Sequence, residues 1–156
     1  MDGTAQVESD VSRAYDLLGG EQTIRPPIRN ALDAHDLLVK GLPSASLLHL
    51  VNAVAFLERD DALMKAIGIS VRTLQRRKTD KKATLLTGEQ SNRTWRFAEI
   101  LGHAIEVMGS KAEAEAWMNR PAIGLENRKP VDLLATSAGA EAVDEYLTRI
   151  EYGVYA

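Results

Sequence analysis

An all-α fold is what this sequence predicts, and three observations predict it. Apolar residues recur at three- and four-residue spacing along most of the chain, apolar–polar alternation never outlasts a few positions, and helix-start and helix-stop residues punctuate it throughout. At 156 residues, 45% hydrophobic and 26% charged, the chain suits one ordinary core or two small helical subdomains. No run approaches the roughly 18 apolar residues of a membrane span, and Met1 to Gly20 lacks the pattern of a secretory signal, so a soluble cytoplasmic protein is expected. The absence of cysteine removes disulfides, thiol nucleophiles and cysteine-ligated zinc together.

Met1 to Ser9 is polar and unpatterned and reads as a tail. From Asp10, a candidate N-cap, Val11, Ala14, Tyr15 and Leu18 make a helical stripe that Gly19-Gly20 ends. Pro26-Pro27 forbids helix at Arg25, and a second stripe runs from Ile28 through Ala31, Leu32, His35 and Leu38 or Val39 to Gly41-Leu42-Pro43. Ser44 can cap a third run, where Leu47, Leu48, Val51, Val54, Ala55 and Phe56 cover more than one face, as a buried central helix would.

From Asp61 to Lys78 two short helices are joined by a tight turn. Ala62, Leu63, Ala66 and Ile67 share one stripe; Gly68 stops it in a left-handed conformation, and Ser70 caps a helix beginning at Val71. Val71 and Leu74 face inward with Ile69, leaving a basic outer face of the kind a DNA major groove accepts: a helix-turn-helix. Charge agrees. Residues 1–64 carry 5 basic and 10 acidic side chains, residues 65–82 carry 7 and 1, and residues 83–156 carry 7 and 11, so the cations of an acidic chain gather at this motif. Ser70, Arg72, Thr73, Gln75, Arg76, Arg77 and Lys78 are the candidate DNA contacts. The alternative is an amphipathic helix pair with a solvated basic face.

A boundary falls near residue 83. Thr87 and Gln90 have capping-box spacing and open a helix carrying Phe97, Ile100, Leu101, Ala104, Ile105 and Met108, ended by Gly109. Ser110 and Glu113 repeat the spacing before an alanine-rich helix that buries Trp117. Residues 122–128 are a loop, Pro130 starts a short helix through Leu134, and the last helix spans about 140–150 with Ala142, Val143, Tyr146 and Ile150 on one face until Gly153 breaks it.

No phosphate-binding glycine loop, His-Glu-x-x-His or Gly-x-Ser-x-Gly is present, so an enzyme, a metal site or a cofactor has no support. His35, His49 and His103 lie on separate predicted helices and read as packed or surface imidazoles; Trp95 and Trp117 read as core, and Glu113 and Glu115 beside Lys111 as a solvated face.

Gly68 to Arg77, with Val39-Lys40-Gly41-Leu42-Pro43 upstream and Trp117 to Pro121, Lys129 to Leu134 and Arg149 to Tyr155 downstream, resembles the Xre/MbcA/ParS antitoxins, partners of RES-domain toxins. One departure is Gly124-Leu125-Glu126-Asn127, where relatives often have a double glycine. The resemblance implies an N-terminal helical domain, residues 1–82, with the helix-turn-helix at about 61–78, and a C-terminal toxin-binding domain, residues 83–156. It implies a protein that blocks the active site of an NAD-consuming RES toxin and represses its own operator; a homodimer is expected because paired recognition helices reading a palindrome need a two-fold. A free-standing regulator with a dimerisation or sensing half is the alternative. The chain's end carries apolar surface that cannot continue its helix past Gly153 and that either folds back on its own domain or fills a partner's pocket; the resemblance implies the latter, with Arg149, Glu151, Tyr152, Val154 and Tyr155 as the candidate toxin contacts.

Overall fold

A computed structural model describes residues 3–80 and 82–153, without the side chains of 4, 5 and 7. Val154 and Tyr155, two of the expected toxin contacts, lie outside the described residues. The fold is all-α: α1 (Gly3–Leu17), α2 (Ala31–Lys40), α3 (Ser44–Ala53), α4 (Ala62–Ala66), α5 (Val71–Thr79), α6 (Gly88–Met108), α7 (Lys111–Met118) and α8 (Ser137–Glu151), with short 3-10 turns between. Pairing of extended backbone among the described residues is limited to isolated bridges at Pro43–Leu85 and Ala122–Arg128.

The axis of the molecule is α6, whose 21 residues span about 31 Å at 1.5 Å per residue. Thr87 and Gln90 form the full reciprocal capping box at its start, at 3.1 Å each way. Phe97, Ala98, Leu101 and Ala104 on it are completely buried, because α1, α7 and α8 pack around it. At Ser110 only half the box forms: its hydroxyl accepts from the Glu113 N–H at 3.1 Å. Trp117 is buried against the ring of Tyr146 from α8, centroids 6.1 Å apart.

The link between halves is fastened rather than loose. Leu86 N–H donates to Leu42 O at 2.8 Å, Ser44 N–H to Thr84 O at 2.9 Å, and Leu42 N–H to the buried Ser91 hydroxyl at 2.9 Å.

Four local expectations need correction. Helix begins at Gly3 rather than near Asp10, so Asp10 is not an N-cap; it accepts from Gln6 at 3.0 Å and Arg13 at 2.5 Å, turn-spaced contacts that carry the helix through the polar stretch. In α2 the buried positions are Ala34 and Leu37, with Leu38 partly covered, while Ala31, Leu32, His35 and Val39 face out. Both stripes satisfy helical spacing, and packing of α2 against α1 and α6 selects the one that is used. Ser44 does not cap α3: its hydroxyl instead accepts from Thr84 at 2.7 Å and from Arg77 at 3.1 Å. Finally, α8 starts at Ser137, capped by Thr136, and its inner face is Ala140, Val143 and Leu147, leaving Ala142 exposed.

Candidate functional site

The chain enters α4 through Asp60 and Asp61, both at positive φ (52° and 61°), a conformation aspartate tolerates better than most residues. Leu63, Ala66 and Ile67 are buried, and Gly68 at φ +85° turns the chain, its N–H donating to Met64 O at 3.0 Å. Ser70 then caps α5, its hydroxyl accepting from Thr73 N–H at 3.0 Å. Ile69 and Leu74 are buried and Val71 is half-buried, so the expected inner face is the one the helix uses.

Arg72, Gln75, Arg76 and Lys78 are exposed on the outer face. Arg76 leans on the Thr73 hydroxyl at 3.5 Å, which holds its guanidinium along the helix without covering it. Arg77 differs: it is half-buried and donates to Ser44 Oγ at 3.1 Å, fastening α5 to the start of α3. Ser70 and Thr73 are engaged with one another at the helix start. The structure therefore gathers Arg72, Gln75, Arg76 and Lys78 on an open face and assigns Arg77, Ser70 and Thr73 to holding that face in place.

A residue outside the motif positions it. Arg93 on α6 donates to Ala66 O at 2.9 Å and Lys65 O at 2.8 Å, satisfying the carbonyls at the end of α4, and pairs with Glu89 at 3.2 Å. The turn needs glycine for its φ of +85°, and a Cβ on Gly68, 2.7 Å from the Arg93 guanidinium, would also push that side chain off the α4 carbonyls. Lys65 reaches Asp132 at 3.8 Å across to the 130–133 turn. The Glu89/Arg93 spacing is visible in the sequence, but its carbonyl partners 27 and 28 residues away are not.

At the other end, Arg149 and Tyr152 are exposed, Tyr152 by 64%. Gly153 at φ +68° turns the chain away from the helix axis. Glu151 stays exposed but pairs with α6: its Oε1 lies 3.2 Å from Nε2 of His103, whose Nδ1 lies 2.8 Å from Asp144 Oδ1. His103 is buried on α6, and the Asp144 hydrogen bond holds its pKa above the usual value against the opposing pull of burial, with Glu151 adding to the rise. Beside it Glu99 is pushed up to about 7, by burial first and by the nearby charge of Asp10 next. Lys111, expected on a solvated face, bridges Ala53 O and Glu115, the latter at 2.6 Å, and ties α7 to the end of α3. Among the described residues no group of three or more His, Cys, Asp or Glu could hold a metal ion.

Comparison with known proteins agrees with this layout. Residues 33–99 match the model of the Antitoxin Xre-like helix-turn-helix domain, and residues 103–153 that of the Antitoxin Xre/MbcA/ParS C-terminal toxin-binding domain. A protein named Antitoxin Xre from Photorhabdus laumondii is 31% identical over 134 residues, 85% of this chain and 88% of that protein. The chain belongs to the Xre/MbcA/ParS antitoxin family. An Antitoxin Xre from Yersinia enterocolitica is 37% identical over 95 residues, 60% of this chain and 63% of that protein, and one from Pseudomonas putida is 27% identical over 130 residues, 82% and 77%. As a member of an antitoxin family the chain is not an enzyme. The open face of α5 falls inside the first matched domain, and the paired His103, Asp144 and Glu151 inside the second.

Proposed function

We propose that this antitoxin-family protein neutralises a RES-domain, NAD-consuming toxin by occluding its active site with the chain around and beyond Gly153, and that as a homodimer it binds operator DNA through α5 and represses its own transcription. The observation that carries the reading is one chain holding both an exposed cationic second helix in a helix-turn-helix and a matched toxin-binding domain. Its action on the toxin is occlusion and on DNA occupancy; neither requires chemistry by this chain. A free-standing regulator has less support, because the C-terminal half matches a toxin-binding domain. The division at residues 82 and 83 is one of function in this proposal. The two parts share a core, since Val11, Ala14 and Leu18 of α1 are buried and α1 packs on α6. No helix among the described residues is long and apolar enough to cross a membrane, which suits a cytoplasmic partner for DNA.

The DNA reading is tested on α5. Arg72→Ala, Arg76→Ala and Lys78→Ala should each weaken operator binding by about 1–3 kcal/mol where the side chain reads a base. Where it contacts a phosphate, the change should lower the salt slope by about one unit. Arg77→Ala should act mainly through stability, because its guanidinium is spent on Ser44. Operator titrations at two salt concentrations with the triple variant measure this, and unchanged affinity would return the basic face to solvent.

Dimerisation has a candidate surface in α2. Leu32 and Val39, seven residues apart on one face, are 74% and 75% exposed, with His35 and Asp36 between them. Laid antiparallel on its own copy, this stripe puts Leu32 against Val39 and His35 against Asp36 twice over, as a two-fold requires. Leu32→Asp with Val39→Asp should yield a folded monomer by sedimentation and weaken operator binding at least about tenfold, since a palindrome is read by paired helices. A dimer of undiminished stability would move the interface elsewhere.

A further inference from the structure

The proposed occlusion of the toxin depends on how the chain leaves α8, and the buried imidazole of His103 governs that exit. Asp144 and Glu151 are seven residues apart, so they lie on one face of α8 two turns from each other, and His103 from α6 stands against both. A neutral imidazole has a single N–H and can donate to one carboxylate; only the imidazolium donates from Nδ1 to Asp144 and from Nε2 to Glu151 together. Gly153, where the helix turns off, is two residues past Glu151.

We propose that His103, as an imidazolium bound to both carboxylates, is the positioning residue that locks the last two turns of α8 onto α6 and sets the exit of the chain at Gly153, so that toxin binding weakens as pH rises through the titration of His103. The proposal rests on the toxin-binding reading above and adds its regulation.

Every element around the imidazole contributes charge to the site. From α1 come Asp10 and Arg13; from α6, Arg96, Glu99 and Glu106; from α8, Glu141, Asp144 and Glu151. Arg13 is occupied by Asp10 at 2.5 Å and Glu106 at 2.9 Å, and Arg96 by Leu134 O and Ser137 Oγ, both at 3.2 Å. Carboxylates thus outnumber cations around a cleft of about 260 Å³, and the imidazolium is the cation that joins α6 to the end of α8. Its folded pKa is raised, so its contribution is complete below the unfolded value near 6.5 and is lost as pH climbs through the higher folded value. Glu99 works in the same direction. With a folded pKa of about 7 against 4.5 for the free side chain, it lowers the stability of the folded arrangement between those two values as it acquires charge beside Asp10 and Asp144, so most of its effect is complete by pH 7.

The test pairs two measurements on the full chain. In the free protein, NMR of the His103 ring nitrogens should show both N–H groups at pH 6.5 and loss of one at higher pH, together with faster amide exchange at the end of α8. This arm stands whether or not a toxin binds. The second arm measures inhibition of NAD consumption by a purified RES-domain toxin, from pH 6.5 to 8.5. Wild type should lose roughly three- to tenfold in affinity, the net worth of about one ordinary hydrogen bond. His103→Gln should hold a flat profile at the weaker level, and Asp144→Asn, a half-exposed change that leaves the core alone, should move the midpoint to lower pH. Operator affinity of the same samples should not follow the toxin profile. Parallel profiles for wild type and both variants would overturn the proposal, as would a single ring N–H at pH 6.5. A chain that shows the ring titration yet binds no toxin at any pH would overturn the toxin reading instead.

Discussion

Gly139→Ala is expected to cost about 2–4 kcal/mol, although alanine for glycine inside a helix ordinarily gains about 1 kcal/mol. Gly139 sits in the first turn of α8, its N–H donating to the Thr136 hydroxyl at 3.0 Å. A Cβ there would lie 2.0 Å from the carbonyl oxygen of Leu133 and 3.2 Å from Thr136 Oγ1. The oxygen is backbone, in a turn anchored by the buried Pro130 and Val131, and the next carbonyl, Leu134 O, accepts from Arg96 at 3.2 Å. Neither side can yield without moving α8 or uncovering Val131. Denaturant unfolding of the variant measures the loss, and an unchanged midpoint would show that the 133–139 junction has slack. Toxin affinity should fall with it, because α8 carries Glu151 and leads directly into Tyr152.

Truncation after Ile150 should abolish protection from the toxin while leaving operator binding intact. It removes Tyr152, a large exposed side chain that costs little rotamer entropy to order, and everything beyond the turn at Gly153. It also removes Glu151 and with it one arm of the His103 pair. Truncation after Gly153 separates these effects, since it keeps that arm and deletes only the segment beyond. If aromatic anchors dominate, Tyr152→Ala and Tyr155→Ala should each weaken inhibition by about 1–4 kcal/mol, roughly fivefold to a thousandfold, with the more buried contact costing more. NAD consumption by purified toxin with each variant decides between tail and body: complete inhibition by the shorter chain would show that the helical body closes the site.

The helix-turn-helix was legible because its signals are local. Gly68 supplies the positive φ, Ser70 the cap, and the spacing of Ile69, Val71 and Leu74 the inner face, all within one short stretch. The Thr87–Gln90 box fixes the start of α6 for the same reason: two backbone donors are satisfied by side chains three residues apart. The order of the elements and the placing of cations at residues 65–82 follow from the sequence alone.

What only the tertiary structure decided depends on pairs far apart in the chain. Two apolar stripes on α2 are equally good by periodicity, and packing against α1 and α6 buries Ala34 and Leu37, leaving Leu32 and Val39 outside. Arg77 looks like its basic neighbours until Ser44, 33 residues earlier, takes its guanidinium. Arg93 looks like a surface arginine until α4 presents its carbonyls. His103 and Glu151 lie 48 residues apart, and Glu151 changes from a free tail charge to a partner of His103 only when α8 folds against α6. A helix is specified by contacts within a few residues of each position, whereas which face it buries, and which charges that face neutralises, is set by whatever the rest of the chain brings alongside.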